Sequence, residues 1–384
     1  MKALRYGRYF LVCVIIASAS GCGAQTRIGS GVLPQNSGDG LLPLSTLHRI
    51  ANADPCGAAG AQHTVHNKTW MTSGAEKVNM LVYVSASSTV CVYDYQTGVL
   101  VGTLSGFTNA QGQCVDKRGN VWITDSGHIG RNAFVDEYAH GKSQRLRTLP
   151  VNGVSVGCSI DPTSGNLAVS TSAAVAMPSE LLVFQNAEGS PTVFQSSSCG
   201  YAFGSPGYDD NGNLYVEDSF LDGEGNVCEL PQGATSLRAV TVYGGLYYSG
   251  GSVMWDGKDI TFSAQYGAFD YRTAIYEMSE DTSGNLTRVG ETVLNDDCEK
   301  DWAVVAPFIV GTKNTPENRH RGKVVVGVDG FCATKFGYWK YPAGGLPQRA
   351  ILRPENARQF GQHRKLDPVR HFFESKGATA ATPG

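Results

Sequence analysis

Asp116-Lys-Arg-Gly-Asn-Val-Trp-Ile-Thr-Asp125 decides how the chain is read. A turn of Asp, Gly and Asn runs straight into a short strand of alternating apolar residues. The construction returns as Asp161-Pro-Thr-Ser-Gly-Asn-Leu-Ala-Val-Ser170 and as Asp209-Asp-Asn-Gly-Asn-Leu-Tyr-Val-Glu-Asp218. A looser copy is Trp255-Asp-Gly-Lys-Asp-Ile-Thr-Phe-Ser263. Asn120, Asn166, Asn213 and Asp259 open the strand in each copy, at spacings of 46, 47 and 46 residues. A constant period of this length, built from strands, is the mark of a propeller blade.

Each unit divides in the same way. The turn joins an innermost strand to a second strand, and a third follows at Phe134–Tyr138, Glu180–Phe184, Asn226–Leu230 and Ala274–Met278. In three units a glycine (Gly141, Gly189, Gly233) then turns the chain into an outer fourth strand. Leu81–Ala86 and Thr89–Gly98 supply second and third strands of an earlier blade. Val304–Gly311, Lys323–Val328 and Phe336–Gly344 supply a last one, interrupted by a polar insertion at Thr312–Gly322. The expected fold is all-β: a six-bladed β-propeller of four-stranded antiparallel blades over residues 62–352. How the ring closes is left open.

Gly119-Asn-Val-Trp-Ile-Thr-Asp125 and Gly212-Asn-Leu-Tyr-Val-Glu-Asp218 carry a resemblance to the NHL-repeat and gluconolactonase-like group of six-bladed propellers. It spans about three quarters of the chain that follows the N-terminal signal, and its motifs specify the blade, not the activity. No Gly-His and Trp-Asp pairing supports WD repeats.

The N-terminus has the order of a secretory signal. Lys2, Arg5 and Arg8 precede the apolar run Leu11–Ala17, and small residues stand before Cys22. The run is shorter than the ~20 residues a bilayer-spanning helix needs. Ala19-Ser20-Gly21-Cys22 resembles the lipobox of bacterial lipoproteins, with Ala where Leu is commoner; the resemblance implies removal of residues 1–21 and lipidation of Cys22. Residues 22–61, rich in Gly, Ser, Ala and Leu, read as a tether, and residues 353–384 as a disordered tail. The expected location is the bacterial cell envelope, anchored to the membrane by lipid and facing out of the cytoplasm.

Net charge is -3 and charged residues make up 17% of the chain, so no field favours nucleic acid as a partner. Beyond Cys13 and Cys22, the cysteines are Cys56, Cys91, Cys114, Cys158, Cys199, Cys228, Cys298 and Cys332. An even set in an exported chain reads as disulfides, and none forms the CxxC pair of a zinc cluster. Cys114 and Cys158 open neighbouring inner strands, where they would meet at the channel mouth. Cys199 with Cys228, and Cys298 with Cys332, fall at the same ends of their blades, leaving Cys56 for Cys91. Eight cysteines allow about 105 pairings, and free buried thiols are the alternative.

Chemistry is expected on the face where the loops entering inner strands gather with those between second and third strands. The candidate ligand-binding residues there are Phe107, His128, Tyr201, Tyr248, Tyr271 and Trp302. Aromatics in loops offer broad contact at small entropic cost, and with nearby acids they suggest a cup for a glycan, peptide or protein ligand. The competing explanation is that these rings pack between blades.

An enzymatic alternative follows from the resemblance. Gluconolactonase-like enzymes imply a divalent metal in the central channel, and hence a hydrolase or lyase. The acids placed for one here are Asp125, Glu217 and Asp218, but the family's acidic opening motif and its Asn-containing inner-strand motif have no counterpart. Similar propellers among lyases and amidating enzymes use channel histidines, whereas here only His128 lies in a candidate loop. No cofactor other than that metal is expected, and Asp116, Asp161 and Asp209 read as turn-shaping residues.

Overall fold

The computed structural model describes residues 28–32, 56, 68–127, 133–172, 179–196, 198–199, 203–219, 225–246, 251–266, 272–295, 304–310, 323–329 and 334–352. Their regular structure is β throughout, apart from 3-10 turns at Ala75–Lys77 and Gln185–Ala187. No helix among them is long and apolar enough to cross a membrane.

A seven-stranded sheet contains β1 (Ile28–Val32), β2 (Trp70–Met71), β3 (Leu81–Asp94), β4 (Leu100–Val115), β5 (Val121–Asp125), β6 (Ala133–Tyr138) and β7 (Arg145–Val151). A four-stranded meander follows: β8 (Val154–Ile160), β9 (Leu167–Ser172), β10 (Leu181–Phe184) and β11 (Thr192–Phe194). The next is β12 (Gly207–Tyr208), β13 (Leu214–Ser219), β14 (Gly225–Leu230) and β15 (Arg238–Val240). A five-stranded sheet holds β16 (Val242–Tyr243), β17 (Val253–Trp255), β18 (Ile260–Tyr266), β19 (Arg272–Glu280) and β20 (Leu286–Leu294). There β16 lies parallel to the outer strand β20. The last meander is β21 (Val304–Val310), β22 (Val324–Asp329), β23 (Thr334–Lys340) and β24 (Arg349–Leu352).

Two strands of the large sheet change role along their length. The N–H of Tyr95 donates to the carbonyl of Met80 at 3.0 Å, so β3 folds back and its two halves lie side by side. β4 bends at Gly106, whose φ of 97° suits a residue without Cβ. Before the bend β4 pairs with the second half of β3 (Leu104 opposite Val90). After it, Ala110 stands between Ser87 of β3 and Asp125 of β5, and the pairing with β5 continues to Cys114 opposite Trp122.

The sheets stand face to face around an axis. β4 lies against β8, β8 against β12, β12 against β17, β17 against β21, β21 against β1, and β1 against β4. The fold is a β-propeller arrangement of meandering sheets. Its cores are shared between neighbours: Trp122, Val135 and Leu149 of one sheet pack with Leu167, Val169 and Leu182 of the next. Small residues let the inner strands converge. A Cβ on Gly207 would sit 2.5 Å from the carbonyl oxygen of Val253.

The repeat signature explains itself in hydrogen bonds. Asp209 Oδ1 accepts the N–H of Asn211 and Asn213 at 2.9 and 2.8 Å, closing the turn, and Asn213 Nδ2 donates to Asp209 Oδ2 at 2.9 Å. The Asn213 amide oxygen takes the Gln232 N–H at 3.0 Å, tying this turn to the one after the third strand. Asp116 and Asp161 make the same kind of turn. These aspartates shape turns.

Beside them runs a cross-strand row of aromatic, Glu and Arg. Trp122 lies opposite Glu137 and Glu137 opposite Arg147; Tyr215, Glu229 and Arg238 repeat the arrangement. Arg147 pairs with Glu137 at 3.3 Å, stacks over Trp122, and reaches the next sheet through Ala187 O (2.7 Å) and Glu188 (3.0 Å). Arg238 likewise pairs with Glu229 and reaches Ser283 O at 3.2 Å. Each arginine joins two sheets.

Disulfides link Cys56–Cys91, Cys114–Cys158 and Cys199–Cys228. The Cys114–Cys158 bond does not sit at the channel mouth. Both cysteines are fully buried, opposite Trp122 and Val169 toward the ends of β4 and β8 that lead into the turns at Asp116 and Asp161, because β4's inner half begins well before Cys114. Cys298 and Cys332 lie outside the described residues. The span 22–61, expected as a tether, contributes β1 to a sheet and Cys56 to a buried disulfide. It is built into the body at those points.

Candidate functional site

The rim of the arrangement is the end where second strands finish and chains enter the inner strands. Asp125 closes β5 there, and it is buried. Its Oδ2 accepts the N–H of Thr108 at 2.8 Å, and its Oδ1 those of Asn109 (2.8 Å) and Gly127 (3.1 Å). Ser126 adds a backbone bond to Asn109 O at 3.0 Å, and Asn109 Nδ2 returns one to Ser126 Oγ at 2.7 Å. The carboxylate thus pins the segment entering β4's inner half to the end of β5.

Glu217 does a related task in β13. It is fully buried; its Oε2 accepts the Gly251 N–H from the next sheet at 3.0 Å, and its carbonyl takes the Gly204 N–H at 2.9 Å. Asp218 is also fully buried and is bridged through its backbone to Phe203. A buried carboxylate that accepts backbone N–H groups in this way holds chain segments in place. Asp125 belongs to one sheet and Glu217 and Asp218 to another, with β8–β11 between them. Among the described residues no three His, Cys, Asp or Glu side chains come together as metal ligands. Asp125 therefore does not stand with Glu217 and Asp218 as one cluster among the described residues.

Of the candidate ligand-binding residues, Phe107 is not offered to a ligand. It is buried, its ring 6.2 Å from that of Tyr138 in a shared core. The bend at Gly106 turns it inward. His128, Tyr201, Tyr248, Tyr271 and Trp302 lie outside the described residues.

A layer of small polar side chains near the axis escaped sequence reasoning. Thr124 Oγ1 donates to Gly112 O at 3.0 Å and reaches Val156 O at 3.4 Å in the next sheet. Ser159 Oγ accepts the Tyr208 N–H at 3.2 Å, and Ser252 Oγ reaches Pro307 O at 3.5 Å. Ser85 Oγ donates to Gln111 O at 2.8 Å and meets the Gln113 amide. The bonds to Val156, Tyr208 and Pro307 run from sheet to sheet, and the others stay within the seven-stranded sheet.

No protein-family model matches the chain, and no curated protein matches it. Among solved structures it is similar to Kuenenia stuttgartiensis hydrazine synthase, at 13% identity and a TM-score of 0.44, over 70% of this chain and 80% of that one. It is similar to the Dos1 propeller at 11% identity and a TM-score of 0.38, covering 70% and 66% of the two chains. For the dihydro-heme d1 dehydrogenase NirN the figures are 13%, 0.37, 74% and 56%. No ligand or reaction is carried over from them.

Proposed function

We propose that the protein is a six-bladed propeller, exported and held at the bacterial envelope by lipid on Cys22, that works as a binding module through its rim. Six blades are supported by the order of inner strands: β1, β4, β8, β12, β17 and β21 each lie against the next, and β21 returns to β1. In this reading the seven-stranded sheet is two blades joined through β4. The resemblance to NHL-type propellers belongs with the same count. Three disulfides suit a chain that matures outside the cytoplasm.

One observation carries the binding reading. The rim carboxylates Asp125 and Glu217 are used to fix backbone where chains enter inner strands, making a rigid footing for loops. The loop sequences around the rim supply Tyr201, Tyr248, Tyr271, Trp302 and His128 for a glycan, peptide or protein ligand.

The test is a screen of the mature chain against glycan and peptide arrays, followed by titration of a hit against Tyr248→Ala and Trp302→Ala. Loss of about 2 kcal/mol of affinity with an unchanged melting temperature is expected for a contact residue. A stoichiometric divalent ion, released by Asp125→Asn or Glu217→Gln together with a hydrolytic activity, would contradict the reading. Metabolic labelling with palmitate, abolished in Cys22→Ser, tests the anchor separately.

A further inference from the structure

The placement of β1 determines which face of the protein meets the membrane, given the lipid anchor at Cys22 on which this inference rests. β1 runs antiparallel to the first half of β3, with Ile28 opposite Ala86 and Val32 opposite Tyr83. Ala86 adjoins the rim, because Ser87 stands opposite Ala110 and Ala110 opposite Asp125. The chain therefore enters β1 at the rim and leaves it toward the opposite face.

Six peptide steps separate Cys22 from Ile28. At ~3.6 Å per residue the leash reaches at most about 22 Å. Passing around a blade to the opposite face would mean crossing four strands at ~4.8 Å spacing and descending a strand of about 20 Å, close to 40 Å in all. Doubling back beside β1, a strand of five residues, would consume about 17 Å of the leash. It would also draw the lipid-bearing residue into a channel ringed by inner strands. Neither route leaves the acyl chains free to reach a bilayer on the far side.

We infer that the rim is the membrane-facing surface, that the bilayer surface is the partner it meets, and that any glycan or peptide it binds is one presented at that surface. A leash this short holds lipid at the rim at an effective concentration in the millimolar range or above, so contacts too weak to bind a free vesicle are populated. The turns at Asp116, Asp161 and Asp209, at the opposite ends of the strands, face the aqueous side.

The experiment uses the full chain, acylated in a bacterial host and reconstituted in vesicles of phosphatidylethanolamine and phosphatidylglycerol. A benzophenone amino acid is placed at Thr108 on the rim or at Lys117 on the opposite face, both exposed positions. Several-fold more phospholipid adduct from Thr108 than from Lys117 is expected. Inserting about twenty Gly and Ser residues between Gly23 and Ala24 is expected to bring the Thr108 yield down to that of Lys117. Equal or reversed yields in the acylated protein overturn the orientation, and a Thr108 preference that survives the longer leash overturns the leash as its cause. Intact mass separates the two failures. A chain without diacylglycerol on Cys22 removes the anchor and this inference together, whereas an acylated chain without rim preference removes only the orientation.

Discussion

Asp125 carries three backbone N–H bonds on one buried carboxylate, and removing it leaves those donors without an acceptor. Asp125→Ala is expected to cost about 2–3 kcal/mol in chemical denaturation, with no change in bound metal. A loss under half a kcal/mol would mean that the loop root is held by something else. The buried acids also set the pH response. Burial pushes Asp136, Glu137 and Glu229 above their ordinary values, against the pull of Thr148, Arg147 and Arg238. They bind protons more tightly folded than unfolded, so their contribution falls as pH rises through the folded values. Asp161 and Asp256 go the other way. Burial alone would raise them, but hydrogen bonds from Ser164 and Thr163, and from Asp259 and Lys323, leave both below the ordinary range. Their contribution is present above the unfolded value and is lost as pH falls through the folded one. Thermal unfolding followed from neutrality to about pH 3 is expected to show stability rising as pH falls toward the carboxylate range and falling again below it. A curve flat from neutrality downward would contradict the burial of the first three acids. At this scale the sequence was a poor guide to Phe107, since a loop aromatic that turns inward reads like one that turns outward.

The elements were legible where the period was. Asn120, Asn166 and Asn213 announced their strands because the asparagine side chain has a fixed task, bonding back to Asp116 or Asp209, or forward to Asn186 or Gln232. Ile28-Gly-Ser-Gly-Val32 gave no such signal. Two glycines break the alternation of large side chains, and the strand exists because β3 offers it a paired edge, a case of tertiary context overriding local propensity. Cys114–Cys158 and Cys199–Cys228 were reachable from blade placement and Cys56–Cys91 by what was left, but the depth of the bonds was not. The serines near the axis looked like ordinary strand filler, though they serve contacts between sheets. Close approach of the inner strands makes Gly207→Ala informative. Its Cβ would press on the Val253 carbonyl, and a loss of about 1–3 kcal/mol is expected by calorimetry. The same change at Gly165, whose Cβ would meet nothing within 4 Å, isolates the backbone cost of a positive φ and should be the milder of the two.

For the whole molecule, the seam between the last and first sheets is where an annular fold is most exposed to opening. There the Tyr338 hydroxyl donates to Tyr95 O at 2.6 Å, and the two rings meet edge to face at 5.2 Å. One core cluster runs across it, joining Val82, Cys91 and Tyr93 to Val325 and Trp339. Tyr338→Phe is expected to lose about 1 kcal/mol, read as a lower denaturant midpoint. Cys56→Ser with Cys91→Ser is expected to lose about 2–4 kcal/mol. The ring and the membrane orientation depend alike on the short N-terminal strand occupying the innermost place of the first blade. Hydrogen exchange at the Ile28–Val32 amides of the mature chain tests this most directly. Protection comparable to that of the β8 amides is expected, while exchange at the rate of an unstructured peptide would contradict both.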